Sequence, residues 1–132
     1  MTADEDHPKM LSSYKQIMIG AIGNGPELQQ VLAQNPKNIV CVKFSSKWCG
    51  PCKKIQPFFE TLAGQHPDMK VYVTDVDESF DLVSHFKIIS MPTFMFFRDN
   101  KIVYVLKGAD EQVLQSAFNI VSGMNDSFNN NS

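Results

Sequence analysis

Two cysteines separated by two residues form the part of the sequence best suited to chemistry. Cys49 and Cys52 lie in the segment WCGPC, which follows the β-type apolar run 39–45 and precedes a helical pattern. The free N–H groups and the positive dipole end of a helix N-terminus stabilise a thiolate on the first cysteine. We therefore predict that Cys49 is the nucleophile in disulfide exchange. Cys52, one turn further along and more buried, would resolve the mixed disulfide, and Pro51 would stiffen the turn between them.

Two other uses of such a pair have to be considered. One is half of a zinc site, but a structural zinc ion needs four ligands, and the remaining candidates are not paired at ligand spacing: Cys41, His7, His66 and His85. The other is an inert structural pair, which the strand-turn-helix context disfavours. We therefore predict redox chemistry and no metal site. Cys41, inside the apolar run, is predicted to be a small buried hydrophobe.

Composition limits the class of protein that carries this pair. The chain has 132 residues, 43% hydrophobic and 20% charged, which favours one globular domain. A net charge of −2 does not predict binding to nucleic acid, and no stretch approaches the roughly 20 apolar residues that a membrane helix needs. Three cysteines, an odd and small number, fit a reducing compartment. With an acidic start that lacks the basic segment of a signal peptide, we predict a cytoplasmic protein.

The elements that must position the cysteines follow from hydrophobic periodicity. Strands alternate with helices, and a hairpin precedes a final helix that Asp110 can cap. The predicted strands cover 14–19, 39–45, 71–76, 93–97 and 101–106, and the predicted helices start near Pro26, Lys53, Glu78 and Asp110. This order predicts an α/β layer with a mixed sheet. We predict one domain over 12–121, a disordered extension over 1–11 and a disordered, Asn-rich tail over 122–132.

The segment from Lys43 to Ala109 resembles the thioredoxin family. The matching pieces occur in the family's order and spacing: WCGPC at 48–52, KKIQPFF at 53–59, VDE at 76–78, MPTFMFF at 91–97 and KGAD at 107–110. The resemblance implies a thioredoxin-like fold, with a central mixed sheet of about five strands flanked by about four helices.

The resemblance also implies an activity. Thioredoxins reduce protein disulfides while Cys49 and Cys52 cycle between dithiol and disulfide, with no bound cofactor. Electrons come from NADPH through thioredoxin reductase. The implied partners are that reductase and disulfide-containing proteins, peroxiredoxins among them, and we expect a monomer. Two alternatives stay open at this point: a redox-sensing or regulatory module that does not turn over, and a more oxidising oxidase or isomerase.

A second group of residues is assigned to substrate binding by the same resemblance. Pro92 would be cis and face the cysteines, although a strand-starting proline is the alternative. Met91 would offer its backbone to an extended substrate segment. The docking surface would further comprise Trp48, Gly50, Pro51 and Gly108. For Trp48, the alternative is a core aromatic.

Lys43 departs from the family pattern, in which an aspartate usually lies beneath the second cysteine. A charged Lys43 would stabilise a Cys52 thiolate and make the pair more oxidising. A neutral, buried amine could accept the proton instead. A lysine that extends to solvent would do neither. Our hypothesis is that Lys43 modulates the pKa of the pair and makes it less reducing. Ser45, where many members have an aromatic residue, also departs from the pattern.

Overall fold

In the computed structural model, residues 19–130 are described, with side chains described as far as residue 124. This part of the chain forms five strands and four helices in the predicted order. They are β1 (Ile19–Ala21), α1 (Gly25–Gln34), β2 (Ile39–Ser45), α2 (Gly50–Gln65), β3 (Lys70–Asp75), α3 (Phe80–Phe86), β4 (Thr93–Arg98), β5 (Lys101–Lys107) and α4 (Glu111–Asn130).

The five strands form one mixed sheet in the order β1-β3-β2-β4-β5. Strands β1 and β2 lie parallel to β3, whereas β4 is antiparallel to both β2 and β5. The central strand β2 therefore ends at the same edge of the sheet where β3 ends and β4 begins. Helix α2 starts at this edge, which confirms the predicted α/β architecture and brings the cysteine segment beside the start of β4.

Each face of the sheet is covered by helices, and this explains the almost continuous apolar run of β2. On one face, Ile39 and Cys41 pack with Phe59 of α2 and Phe118 of α4. On the other face, the side chains of Val40, Val42 and Phe44 pack with residues of α1 and α3 such as Leu28, Leu32 and Leu82. Lys43 is the one charged residue of β2, and it shares the face covered by α2.

The last helix is longer than the sequence predicts. Asp110 caps it as expected, because its Oδ1 accepts a hydrogen bond from the Val113 N–H at 3.0 Å. The backbone is helical to Asn130, past Ser122, the residue at which the sequence analysis places the start of a disordered tail. A helix already docked through buried residues such as Val121 extends at little further cost, because each added residue gains one backbone hydrogen bond. Polar composition alone does not stop it.

Some of the segments predicted at the two ends of the chain lie outside the described residues. The predicted extension 1–11, most of the predicted strand 14–19 and the last two residues fall there, and β1 begins at Ile19. The division into a domain over 12–121 and two tails therefore stays a prediction. Over residues 19–130, none of the helices is both long and apolar enough to cross a membrane.

Candidate functional site

The two cysteines lie at the N-terminus of α2 and form a disulfide. Cys49 is the N-cap residue of the helix, and the Cys52 N–H donates to the Cys49 Sγ at 3.1 Å. Pro51 occupies the first turn, where its missing N–H removes no helical hydrogen bond. Cys49 is partly exposed, whereas Cys52 is 1% exposed. The helix thus directs a backbone donor at the outer sulfur, which is the arrangement that stabilises a thiolate there.

The loop between β2 and α2 is held by Ser46, a residue that the sequence analysis missed. Its carbonyl accepts from the Cys49 N–H at 3.2 Å, and its hydroxyl oxygen accepts from the Trp48 N–H at 3.2 Å. The same hydroxyl donates to Asp77 Oδ2 at 2.9 Å. Asp77 lies in the loop after β3, the strand beside β2, so the two loops are tied together. No spacing pattern in the sequence marks this bridge.

A second loop faces the outer cysteine. The Met91–Pro92 peptide bond is cis, as the resemblance implied, and the Met91 carbonyl oxygen lies 3.6 Å from the Cys49 Sγ. The Gly108 N–H donates to the Pro92 carbonyl at 2.9 Å, which connects this loop to the end of β5. Gly108 has φ +104°, a conformation that favours glycine over residues with a side chain.

The surface around the disulfide is open and partly apolar. Trp48 is 86% exposed and Met91 is 37% exposed, so the interpretation of Trp48 as a core aromatic is wrong. Gly50, Pro51 and Gly108 are also exposed. Five of the six residues predicted to bind substrate are therefore exposed, on the three segments that converge at this edge of the sheet, whereas Pro92 is buried beside Met91. Ile89, which sequence reasoning missed, is another exposed apolar residue close by in the chain, at 84%.

Lys43 lies beneath the inner cysteine and does not reach solvent. It pairs with Val73 on one side and Phe94 on the other, and its side chain is 1% exposed. The ammonium group donates to the Cys52 carbonyl at 2.8 Å and to Gln56 Oε1 at 2.5 Å. The interpretation of Lys43 as a solvent-exposed lysine is therefore wrong, and its amine is fixed by two acceptors on α2.

Burial changes the acidity of this amine. It lowers the pKa of Lys43 from 10.5 to about 8, although the nearby Glu60 carboxylate acts in the opposite direction. The amine is therefore mostly protonated at pH 7 and mostly neutral well above pH 8. A cavity of about 380 Å³ adjoins it, lined by Lys43 and Cys52 among others. Lys43 is therefore a charged ammonium at lower pH and a neutral, buried amine at higher pH, which are the two buried forms that the sequence analysis considers.

We expect this buried amine to make stability depend on pH. A pKa of about 8 in the folded chain lies below the ordinary 10.5, so the unfolded chain binds more protons between these values. The free energy of unfolding of the oxidised protein should therefore rise as pH increases from about 8 to 10.5. Relative to Lys43→Met, we expect a rise of about 2 kcal/mol in urea titrations, with part of the full shift screened by the adjoining cavity. Parallel curves for the two proteins would contradict the assignment.

Three of the four residues considered for a zinc site are described, namely Cys41, His66 and His85, whereas His7 lies outside the described residues. The His66 ring packs against Phe118 with centroids 5.4 Å apart, and the His85 ring packs against Phe86 at 4.7 Å. Cys41 is a buried free thiol whose pKa is raised by burial, which agrees with its predicted role as a small hydrophobe. Over residues 19–130, no cluster of three or more potential metal ligands occurs.

Comparisons with known proteins agree on one family. The family model described as thioredoxin matches residues 23–119. A thioredoxin of Ophiophagus hannah is 36% identical over 100 residues, which cover 76% of this chain and 95% of that protein. The X-ray structure of Fasciola hepatica thioredoxin has a TM-score of 0.74 and 30% identity, covering 76% and 96% of the two chains.

A further similar solved structure concerns the thiol resolving mechanism of yeast mitochondrial 1-Cys peroxiredoxin via glutathione/thioredoxin systems. The similarity has a TM-score of 0.71 and 30% identity, covering 76% of this chain and 93% of that chain. The residues matched by the family model include the cysteine pair, Lys43, Pro92 and Gly108.

Proposed function

Since the chain belongs to the thioredoxin family and is a protein-disulfide reductase of the thioredoxin type, we propose that Cys49 and Cys52 divide the reaction between them. The Cys49 thiolate attacks one sulfur of a substrate disulfide, and the other substrate sulfur leaves as a thiolate and takes up a proton. The Cys52 thiolate then attacks the Cys49 sulfur, which forms the Cys49–Cys52 disulfide and releases the second substrate thiolate. The substrate gains two electrons and the protein loses two.

One observation carries this order of events. The Cys52 N–H donates to the Cys49 Sγ at the start of α2, and Cys49 is partly exposed while Cys52 is buried. A backbone donor at a helix N-terminus lowers the pKa of the thiol it faces, so Cys49 is the better nucleophile. Cys52 has no comparable access to a large substrate, and it can attack only a sulfur already attached to Cys49.

We assign substrate docking to the residues around the disulfide. The Met91 carbonyl lies 3.6 Å from the Cys49 Sγ, so a substrate segment that pairs with the backbone at Met91 would bring its sulfur to Cys49. Pro92 and Gly108 hold this loop through their backbone hydrogen bond. The exposed surface of Trp48, Gly50 and Pro51 would contact the substrate on the other side of the cysteine.

The electron source and the partners are part of the same proposal. We assign the electrons to NADPH through thioredoxin reductase, and the substrates to proteins with disulfides, including peroxiredoxins. The similar structure that concerns peroxiredoxin resolution supports the last choice. A buried free thiol at Cys41 and a pair that must be reduced again both fit a reducing compartment, and we therefore propose a cytoplasmic protein. The proposal of a monomer rests on the resemblance to the family.

Reduction of insulin disulfides, coupled to NADPH and thioredoxin reductase, tests this function. We expect NADPH oxidation that depends on the protein, on insulin and on the reductase together. A parallel assay with dithiothreitol as the reductant separates two failures. Activity with dithiothreitol alone would show that this reductase does not recharge the protein. No activity with either reductant would contradict a turnover role and favour a redox-sensing module.

A further inference from the structure

Two side chains of α2, Gln56 and Glu60, extend the hydrogen bonds of Lys43 along the helix. Lys43 Nζ donates to Gln56 Oε1 at 2.5 Å, and Gln56 Nε2 donates to Glu60 Oε2 at 3.2 Å. Lys43 Nζ also donates to the Cys52 carbonyl at 2.8 Å. A chain of hydrogen bonds therefore leads from a carboxylate on the helix to the residue that carries the buried sulfur.

The helix itself places these groups in line. Cys52, Gln56 and Glu60 follow one another at intervals of four residues, so they lie along one face of α2. That face is turned toward Lys43, which projects from β2 beneath it. The alignment means that the helix offers three acceptors in sequence to the region of the lysine: a carbonyl, an amide oxygen and a carboxylate.

The donor and the acceptor of each hydrogen bond in this chain follow from the chemistry of the groups. The Glu60 carboxylate accepts hydrogen bonds only, so it selects the NH2 end of the Gln56 amide. The amide oxygen must then face Lys43, whose ammonium donates only. Glu60 therefore orients Gln56, and Gln56 holds Nζ at a fixed position. Without Glu60 the ammonium would still select the amide oxygen, but the Gln56 side chain would be held by one of these two hydrogen bonds instead of both.

Charged groups near Lys43 affect whether its amine is protonated. Glu60 on α2 favours the protonated amine, in opposition to burial. Three further charged residues line the adjoining cavity: Asp75 of β3, Lys47 of the loop between β2 and α2, and Lys53 of α2. The same cavity is lined by Cys52, so the cation and the buried cysteine share one partly enclosed volume. A charge acts more strongly there than in open water.

We propose that Gln56 and Glu60 are positioning residues of the disulfide exchange, which hold the Lys43 ammonium beside Cys52 so that the reduced protein forms the Cys52 thiolate more readily. The proposal rests on the resolving role assigned to Cys52 above. One face of α2 would then hold the Lys43 ammonium in addition to covering the sheet. The residues act through Lys43 and do not contact the substrate.

Titration of Cys52 in the full chain carrying Cys49→Ser tests this proposal. The ultraviolet absorbance of the thiolate reports ionisation, and Cys41 is buried and the same in every variant. Lys43→Met should raise the pKa of Cys52 by about one unit, since an opposite charge nearby is lost. Gln56→Leu and Glu60→Gln should raise it by roughly half that amount. Gln65→Leu on the same helix and Glu111→Gln on α4 are the matched controls, and both should leave it unchanged.

A double-mutant comparison separates positioning from general disturbance. In a Lys43→Met background, Gln56→Leu and Glu60→Gln should no longer change the pKa of Cys52. An unchanged pKa in both single variants would overturn the proposal, and so would an equal shift with and without Lys43. Glu60→Gln keeps the side-chain shape and covers the case in which Gln56→Leu fails to fold. The titration needs no turnover, so its failure is distinct from failure of the insulin assay.

Discussion

Replacement of Cys49 by serine is expected to abolish reduction of insulin disulfides, with turnover lower by roughly 10³-fold or more. The serine hydroxyl can accept the same hydrogen bond from the Cys52 N–H, but it is not ionised near pH 7 and cannot form a disulfide. Cys52 is 1% exposed and cannot replace it as the attacking group. The measurement is insulin reduction with dithiothreitol as reductant, so that the result does not depend on recognition by a reductase.

The companion variant Cys52→Ser should fail at a later step. Cys49 still attacks the substrate, but no thiol remains to resolve the product, so a mixed disulfide through Cys49 accumulates. Non-reducing electrophoresis should show this adduct, and dithiothreitol should remove it. Cys41→Ala, which changes the buried free thiol, is the matched control and should retain turnover without adducts. Substantial turnover by Cys49→Ser, or equal adducts in both variants, would refute the assigned order.

The parts of the site that the sequence predicts are those with local signals. Cys49 and Cys52 are separated by two residues at a junction that periodicity alone identifies, and a helix N-terminus has known effects on a thiol. The loop at Pro92 was predictable only through the family resemblance, because most X-Pro bonds are trans. Both features place chemistry within a few residues of a recognisable motif.

The parts that the sequence did not predict depend on contacts between distant segments. Ser46 and Asp77 are 31 residues apart, and they meet because β2 and β3 are neighbours in the sheet. The burial of Lys43 could not be decided from its strand pattern, since a long side chain can leave an apolar surface for solvent. Only the position of α2 above it shows that Gln56 and the Cys52 carbonyl hold the amine.

Lys43→Asp is expected to make the redox pair more reducing. At pH 7 the buried ammonium is mostly protonated and lies at the Cys52 end of the pair, where it favours the thiolate that reduction produces. A carboxylate at the same position repels that thiolate and favours the disulfide. We expect about a tenfold change in the equilibrium with glutathione, which corresponds to about 30 mV for a two-electron couple.

The measurement is the fraction of oxidised protein across a series of glutathione buffers at pH 7. Lys43→Met should lie between the wild type and Lys43→Asp, because it removes the charge without reversing it. Lys101→Asp makes the same charge reversal at the far end of the sheet, where β5 pairs with Arg98, and should move the midpoint little. Equal midpoints for the wild type and Lys43→Asp would show that the buried amine does not act on the pair. A graded order of the three proteins would instead show that one buried charge, in a position where the family usually has the opposite one, determines how strongly this protein reduces its substrates.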